Sequence, residues 1–290
     1  MDLKNFTVGQ LANLACTLEV MAPKPGNVHR AADFEDCSAT DFLASGIALG
    51  PVLDRSDQQP LGRTIYDAVV ATKVVTSHNT NLGIVLLFAP LAKAAHAWRK
   101  DRRLPLSKHL LDVLQSLSPN DASLVYDAIR LASPGGISPA DQPVASLDIK
   151  DSPPNNLLDA MQVASEWDWI ASEYVTGFEI VFSKVAAWLL QAEGPWPERI
   201  VAAHVRLMSE YPDSLIRRKC GQQVAEESAV RAARTLAAGP PGSREYHDAL
   251  ADLDFWLRSD GNRRNPGTTA DLIAAGVFIG LLQGIVTPPF

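Results

Sequence analysis

Apolar residues recur along most of this chain with the period of a helix. Between Val8 and Val20, Leu11, Leu14, Ala15 and Leu18 fall at i, i+3, i+4 and i+7 and so share one face. The same spacing predicts helices over residues 41–53, 64–76, 82–98, 106–114, 123–132, 168–191, 197–209, 213–238, 243–260 and 269–286. Alanine is frequent in these stretches, as close helix–helix packing favours. No alternating run of β-branched residues of strand length stands out. The pattern predicts an all-α, single-domain multi-helix bundle of about ten helices, spanning residues 1–290. One segment interrupts it. Residues 133–156 carry Pro134, Pro139, Pro143, Pro153 and Pro154, a Gly135-Gly136 pair, and the acids Asp141, Asp148 and Asp151. This predicts one long irregular loop, either functional or a plain surface excursion.

Composition narrows the class. The 290 residues are 47% hydrophobic and 20% charged, an ordinary globular mixture and not a disordered or fibrous one. A chain of this length can bury roughly 75% of its unfolded surface, so its core needs no covalent staples. Cys16, Cys37 and Cys220 are odd in number and scattered, which fits neither a disulfide framework nor a paired-cysteine metal site. That points to a reducing, cytoplasmic location. The polar N-terminus MDLKNFTVGQ lacks the apolar core of a signal peptide. The longest apolar runs, at 83–92 and 272–282, are too short for a membrane span. The net charge of −7 argues against a nucleic-acid face. Small molecules are the expected partners.

Four polar segments abut strongly apolar helices. Glu19 is followed by Pro23-Lys24-Pro25-Gly26-Asn27-Val28-His29-Arg30 and the acids Asp33, Glu35 and Asp36. Two prolines and a glycine end the first helix, but a stop signal does not also require Lys, Asn, His, Arg and three acids. Thr76-Ser-His78-Asn79-Thr80-Asn81-Leu-Gly83 runs directly into Ile84-Val-Leu-Leu-Phe88. One cap residue would suffice there, and a buried helix head is also a ready anion site. In Asp213-Ser-Leu-Ile-Arg217-Arg218-Lys219, Asp213 and Arg217 can pair at i,i+4. Alternatively Asp213 binds metal and the basic trio meets phosphate. Asn265-Pro-Gly-Thr268-Thr269-Ala-Asp271 opens the last apolar helix, with Thr268 and Asp271 at capping-box spacing.

Glu179 stands within an apolar helical stretch and would there be paired, metal-bound or proton-shifted, unless its face meets solvent. Lys73 in Ala71-Thr-Lys-Val-Val raises the same question. His96, His109, His204 and His247 sit in polar surroundings and are expected at the surface. Carboxylates, cations and amides at helix ends suit a multiply phosphorylated ligand with Mg²⁺, since hard oxygen ligands take Mg²⁺ and Lys or Arg neutralises the remaining charge. No GxGxxG, GxxxxGK[ST], HExxH or GxSxG sequence is present.

In this order, Glu19 with PKPGN, HNTNLG, DSLIRRK and NPGTTADL resemble the motifs of the triphosphoribosyl-dephospho-CoA synthase family, over about residues 8 to 286. The resemblance implies an all-α enzyme of this reaction: ATP plus 3′-dephospho-CoA gives 2′-(5″-triphosphoribosyl)-3′-dephospho-CoA and adenine. It implies Mg²⁺ as cofactor, ATP and a small-molecule acceptor as partners, and a homodimer as the candidate assembly. Carried onto this sequence, the catalytic residues are Glu179, Asp213 and His78, and the metal ligands Asp213, Asp271 and Glu179. Lys24, Arg217, Arg218 and Lys219 would hold triphosphate, with His78, Asn79 and Asn81 on ribose or adenine. Asn27, His29, Lys73, Asn265, Thr268 and Thr269 complete the implied substrate-binding set. Three departures mark the chain: NTNLG where the family has NTHKG, His29-Arg-Ala-Ala-Asp33 where it has an HxDMD-like run, and NPGTT where it has SPGG. These resemble a divergent branch in methanogens and in bacteria that use tetrahydromethanopterin. A C1-pterin biosynthetic acceptor is therefore the rival to dephospho-CoA, and a non-catalytic nucleotide-binding regulator the rival of another class.

Overall fold

The computed structural model describes residues 3–132 and 155–290. The irregular loop expected at 133–156 therefore lies almost wholly outside the described residues. Among those residues there are fourteen α-helices and no strand. They are α1 (Val8–Met21), α2 (Ala39–Leu53), α3 (Leu61–Val75), α4 (Leu82–Lys100), α5 (Leu106–Gln115), α6 (Pro119–Ala132) and α7 (Leu157–Ala164). The second half adds α8 (Trp169–Thr176), α9 (Ala186–Gln191), α10 (Trp196–Glu210), α11 (Ser214–Cys220), α12 (Gln222–Ala238), α13 (Arg244–Arg258) and α14 (Gly267–Gln283). No helix is long and apolar enough to cross a membrane.

The count exceeds ten because two expected helices are broken and α7 lies outside the predicted stretches. The stretch 168–191 breaks at Gly177 and Phe178, both at positive φ (72° and 66°). A π-helical turn, Ile180–Val185, then leads into α9. Phe178 is fully buried against Tyr174, which holds it in a conformation non-glycine residues seldom adopt. The stretch 213–238 breaks at Gly221, between α11 and α12. Hydrophobic periodicity runs through such breaks, because each half still presents its apolar face to the same core.

Two helices are apolar nearly all round and form the centre. α14 buries thirteen of its residues, including Phe278, whose ring stacks on Phe88 of α4 at 4.6 Å between centroids. α4 is likewise buried from Ile84 to Ala92. A helix without a polar face cannot sit at a surface. α1, α10 and the π-turn close around α14, while α2, α3 and α5 flank α4. The head of α14 is thereby set in the middle of the molecule, where the chain segments around it have to meet.

Candidate active site

All four polar segments converge on the head of α14. The first docks through Asn27, whose Nδ2 donates to Asn265 Oδ1 at 2.7 Å. Gly26 donates its N–H to Asp254 Oδ1 at 2.7 Å, and Arg258 donates to the Asn27 carbonyl while also binding Asp254. Gly26 holds φ of 74°, and a Cβ there would meet Leu257 and Pro266 within 3 Å, so only glycine fits this turn. The second segment meets α14 at Gly83, where a Cβ would lie 1.9 Å from Asp271 Oδ2. The third is tied by Asp213, whose Oδ2 accepts from the N–H and hydroxyl of Thr269 at 2.7 and 2.8 Å.

The two aspartates at this junction differ in their freedom. Asp213 Oδ1 accepts the N–H groups of Leu215 and Ile216, so its carboxylate takes four hydrogen bonds in all and is 1% exposed. Burial raises its pKa and those hydrogen bonds oppose the rise. It caps α11 and ties it to α14, with no oxygen left open in the manner expected of a metal ligand or a base. Asp271 is only partly buried and has no hydrogen-bond partner among the described residues. Its pKa is pushed well above the ordinary value by burial and then by Glu19, Asp213 and Asp168, against a smaller opposing pull from Arg218.

Cations face the same place. Arg218 approaches Asp168 Oδ2 at 4.0 Å, and its Nε is buried without a hydrogen-bond partner among the described residues. Burial lowers the pKa of Lys219, and the neighbouring Arg218 lowers it further. Arg217 turns aside and donates to the Glu166 carbonyl at 3.2 Å. Lys24 is fully buried, with its ammonium 2.9 Å from Glu19 Oε1 and bonded to the Glu19 carbonyl. It braces the turn from behind, where the resemblance placed it on triphosphate. His29 is buried at the turn, and burial together with Arg258 lowers its pKa. Thr268 and Thr269 are buried at the helix head.

On the far side of the first turn of α4, Asn81 is buried while His78 and Asn79 are exposed. Asn79 Oδ1 accepts the Leu82 N–H and so starts α4, and Lys73 donates to the Ser77 carbonyl at 3.3 Å.

Two expectations are corrected. Glu179 is exposed, so it is not the buried carboxylate of its stretch. That role belongs to Glu173, fully buried, which accepts the N–H groups of Ile180 and Val181 at 3.0 Å each. The break at Gly177 shifts the helix phase, which is why the periodic reading chose the wrong acid. His204, expected at the surface, is fully buried beside Lys24 and the Pro25 carbonyl, and neither ring nitrogen completes a well-formed hydrogen bond. Burial, and then Lys24, hold its pKa well below the usual histidine value. Asp168, Asp254 and Arg258 complete the site without having drawn notice in the sequence. Asp168 does carry a legible signal, an acid directly before a helix, and it caps α8 through Ile170 and Ala171. That its other oxygen faces Arg218 is set by tertiary contact alone.

No group of three or more His, Cys, Asp or Glu side chains among the described residues is placed to hold a metal ion by itself. The donor set suits Mg²⁺ bound by one or two carboxylates together with substrate phosphates and water. An open carboxylate beside Asp168, Arg218 and Lys219, at the junction of four polar segments in an all-α core, is chemistry that suits a phosphorylated substrate. The family model for ATP:dephospho-CoA triphosphoribosyl transferases matches residues 5–288. The chain belongs to that family, and it is a triphosphoribosyl transferase. A crystal structure from Archaeoglobus fulgidus, provisionally assigned as a triphosphoribosyl-dephospho-CoA synthase, is similar to it. The two share 26% identity and a TM-score of 0.64, over 83% of this chain and 99% of that one. No individually curated protein matches the chain. The family match favours dephospho-CoA over a pterin precursor as acceptor, and an enzyme over a non-catalytic regulator.

Proposed function

We propose that the head of α14 is where the triphosphoribosyl group of ATP passes to dephospho-CoA, with Asp271 as general base. The observation that carries this reading is the Asp271 carboxylate, unpaired among the described residues and raised in proton affinity by burial and three acids, at the junction of all four motif segments. A ribose hydroxyl of the acceptor attacks C1′ of the ATP ribose. The C1′–O bond forms as the C1′–N9 bond breaks, the hydroxyl proton passes to Asp271, and adenine leaves with the bonding pair and takes a proton from water, the proton on Asp271 returning to solvent afterwards. Raising the proton affinity of a carboxylate makes it a stronger base for that proton. Glu19, Asp168 and Asp213 supply negative charge near an oxocarbenium-like centre, which lowers its energy in a partly desolvated site.

Arg218 and Lys219 bind phosphate oxygens, Arg through its planar fork and Lys as a point charge. Asp168 Oδ2, with phosphate oxygens and water, would hold Mg²⁺, whose contribution is to neutralise triphosphate charge. Cys16, Cys37 and Cys220 are free thiols, which fits the reducing interior of a cell. The test is adenine release, followed by chromatography. Asp271→Asn is expected to lower kcat by about a hundredfold or more, the usual scale of a lost general base, with ATP affinity little changed. Near-normal turnover in that variant would remove Asp271 from the role. Adenine release with a pterin precursor and none with dephospho-CoA would overturn the acceptor.

A further inference from the structure

Helix α13 lies outside the four polar segments, yet it holds one of them by its backbone. It carries Asp254 and Arg258 at i,i+4, with Arg258 Nε 2.8 and 3.0 Å from the two carboxylate oxygens. Such pairs are common on helix surfaces and contribute little there. This one is partly buried, and both members have further partners. Asp254 Oδ1 also accepts the Gly26 N–H at 2.7 Å, and Arg258 Nη2 also donates to the Asn27 carbonyl. Those two contacts join positions 228 and 231 apart in the chain.

One carboxylate and one guanidinium thus grip a donor and an acceptor from consecutive residues of a single turn. A plain surface ion pair needs neither contact. Arg258 also stands over the Phe34 ring, 5.8 Å from its centroid, which fixes it against the segment that follows the turn. The turn in its own right meets the head of α14. Asn27 Nδ2 donates to Asn265 Oδ1 at 2.7 Å, and a Cβ on Gly26 would lie 2.9 Å from Pro266 Cδ. Asn265 and Pro266 directly precede Gly267, where α14 begins, and Asp271 follows after the first turn of that helix. A continuous path of short contacts therefore runs from α13, through the turn, to the open carboxylate.

We propose that Asp254 and Arg258 are positioning residues for the transfer reaction: they clamp the Gly26–Asn27 turn, and through it set the head of α14 and the direction in which Asp271 points. The inference rests on the transferase reading above and adds to it two residues that belong to none of the four motifs. Charge by itself does not fill this role. The guanidinium has to meet a carboxylate and a carbonyl at fixed angles, which suits its planar fork and not the point charge of lysine. Arg218 and Lys219 come from a different segment, so removal of the clamp leaves their approach to triphosphate in place. The effect falls on turnover and spares ATP binding.

Arg258→Met and Arg258→Lys test the clamp in the whole protein, by adenine release and by the assigned Gly267 amide resonance of glycine-labelled samples. In Arg258→Met, kcat is expected to fall about tenfold or more, towards the hundredfold that about 1 Å of misplacement can cost, with KM for ATP unchanged. Arg258→Lys keeps the charge pair with Asp254 and is expected to recover the melting temperature without recovering kcat. It also carries the test should Arg258→Met fail to fold. In an Asn265→Ala background, Arg258→Met should lower kcat little further, because the path is already cut. The Gly267 resonance, at the start of α14, is expected to move in both Arg258 variants, and that reading needs no turnover. A kcat equal to that of the unsubstituted protein, a loss confined to KM, or a Gly267 resonance that stays in place overturns the inference. An unsubstituted protein that releases no adenine would sink the transferase reading, and the Gly267 resonance would then decide the clamp by itself. Active protein whose Arg258 variants keep full kcat would sink the clamp alone.

Discussion

Asp213, Asp271 and Glu173 are all carboxylates in apolar surroundings, yet each is put to a different use by its hydrogen bonds. Among the described residues, four donors fill Asp213, none meets Asp271, and two backbone N–H groups meet Glu173. Glu173 makes a prediction of its own. Burial raises its pKa from the ordinary 4.5 to about 7, against the pull of the two N–H bonds and with a smaller push from Glu179. Between those two values the folded protein holds a proton that the unfolded chain has released, so stability falls as pH rises through this window. The linked loss is on the order of 3 kcal/mol by pH 8. Urea midpoints should therefore be lower at pH 8 than at pH 5, and Glu173→Gln should flatten that difference. An equal pH dependence in the variant would exclude Glu173 as its source.

At the scale of elements, α4 and α14 approach so closely that one hydrogen atom decides the contact. Gly83 lies in the first turn of α4 with the Asp271 carboxylate against its Cα. Ala is the better helix former, by about 1 kcal/mol, so Gly83→Ala should not unfold the protein. The added methyl must push the carboxylate away, and displacing a catalytic group by about 1 Å can cost on the order of a hundredfold in rate. An unchanged melting temperature together with a large fall in adenine release is the expected pair of results. Full activity in Gly83→Ala would show that Asp271 works from another position. Element boundaries were less legible than element types. The periodic pattern found α1 to α6 and α14 closely, but ran across the breaks at Gly177 and Gly221, since a glycine in an amphipathic stretch looks like a tolerated substitution until its φ is known. α7 was not found, eight residues being too few for the period to register against the adjoining proline-rich stretch.

Across the whole molecule, distant segments are joined by a few buried polar contacts. Asp213 with Thr269 bridges 56 positions, and Asn27 with Asn265 bridges 238. Asp213→Asn separates the two duties of that side chain. Its Oδ1 still caps α11, while the amide NH₂ is set against the Thr269 N–H, leaving a buried donor unpaired at a cost of about 1–3 kcal/mol. A lower unfolding midpoint is expected, together with reduced activity from a loosened α14 head, as read by denaturant melts and adenine release. Unaltered stability would mean that the tie is not needed.

The local chemistry of each segment was written in the residues themselves. Helical period, the absence of strands, PKPG as a stop, Asp and Asn as caps, and four ordered motifs with a common family resemblance all depend on neighbours a few positions apart. Tertiary structure alone decided which polar groups became architecture and which stayed free. Arg217 went to a distant carbonyl and Asp213 to the head of α14 as well as its own helix, while Asp271, Arg218 and the Asn81 amide kept open valences among the described residues. The reason is physical. A hydrogen bond is a relation between two groups, and when its partner lies some 50 to 240 residues away nothing in the local pattern records whether it has been made.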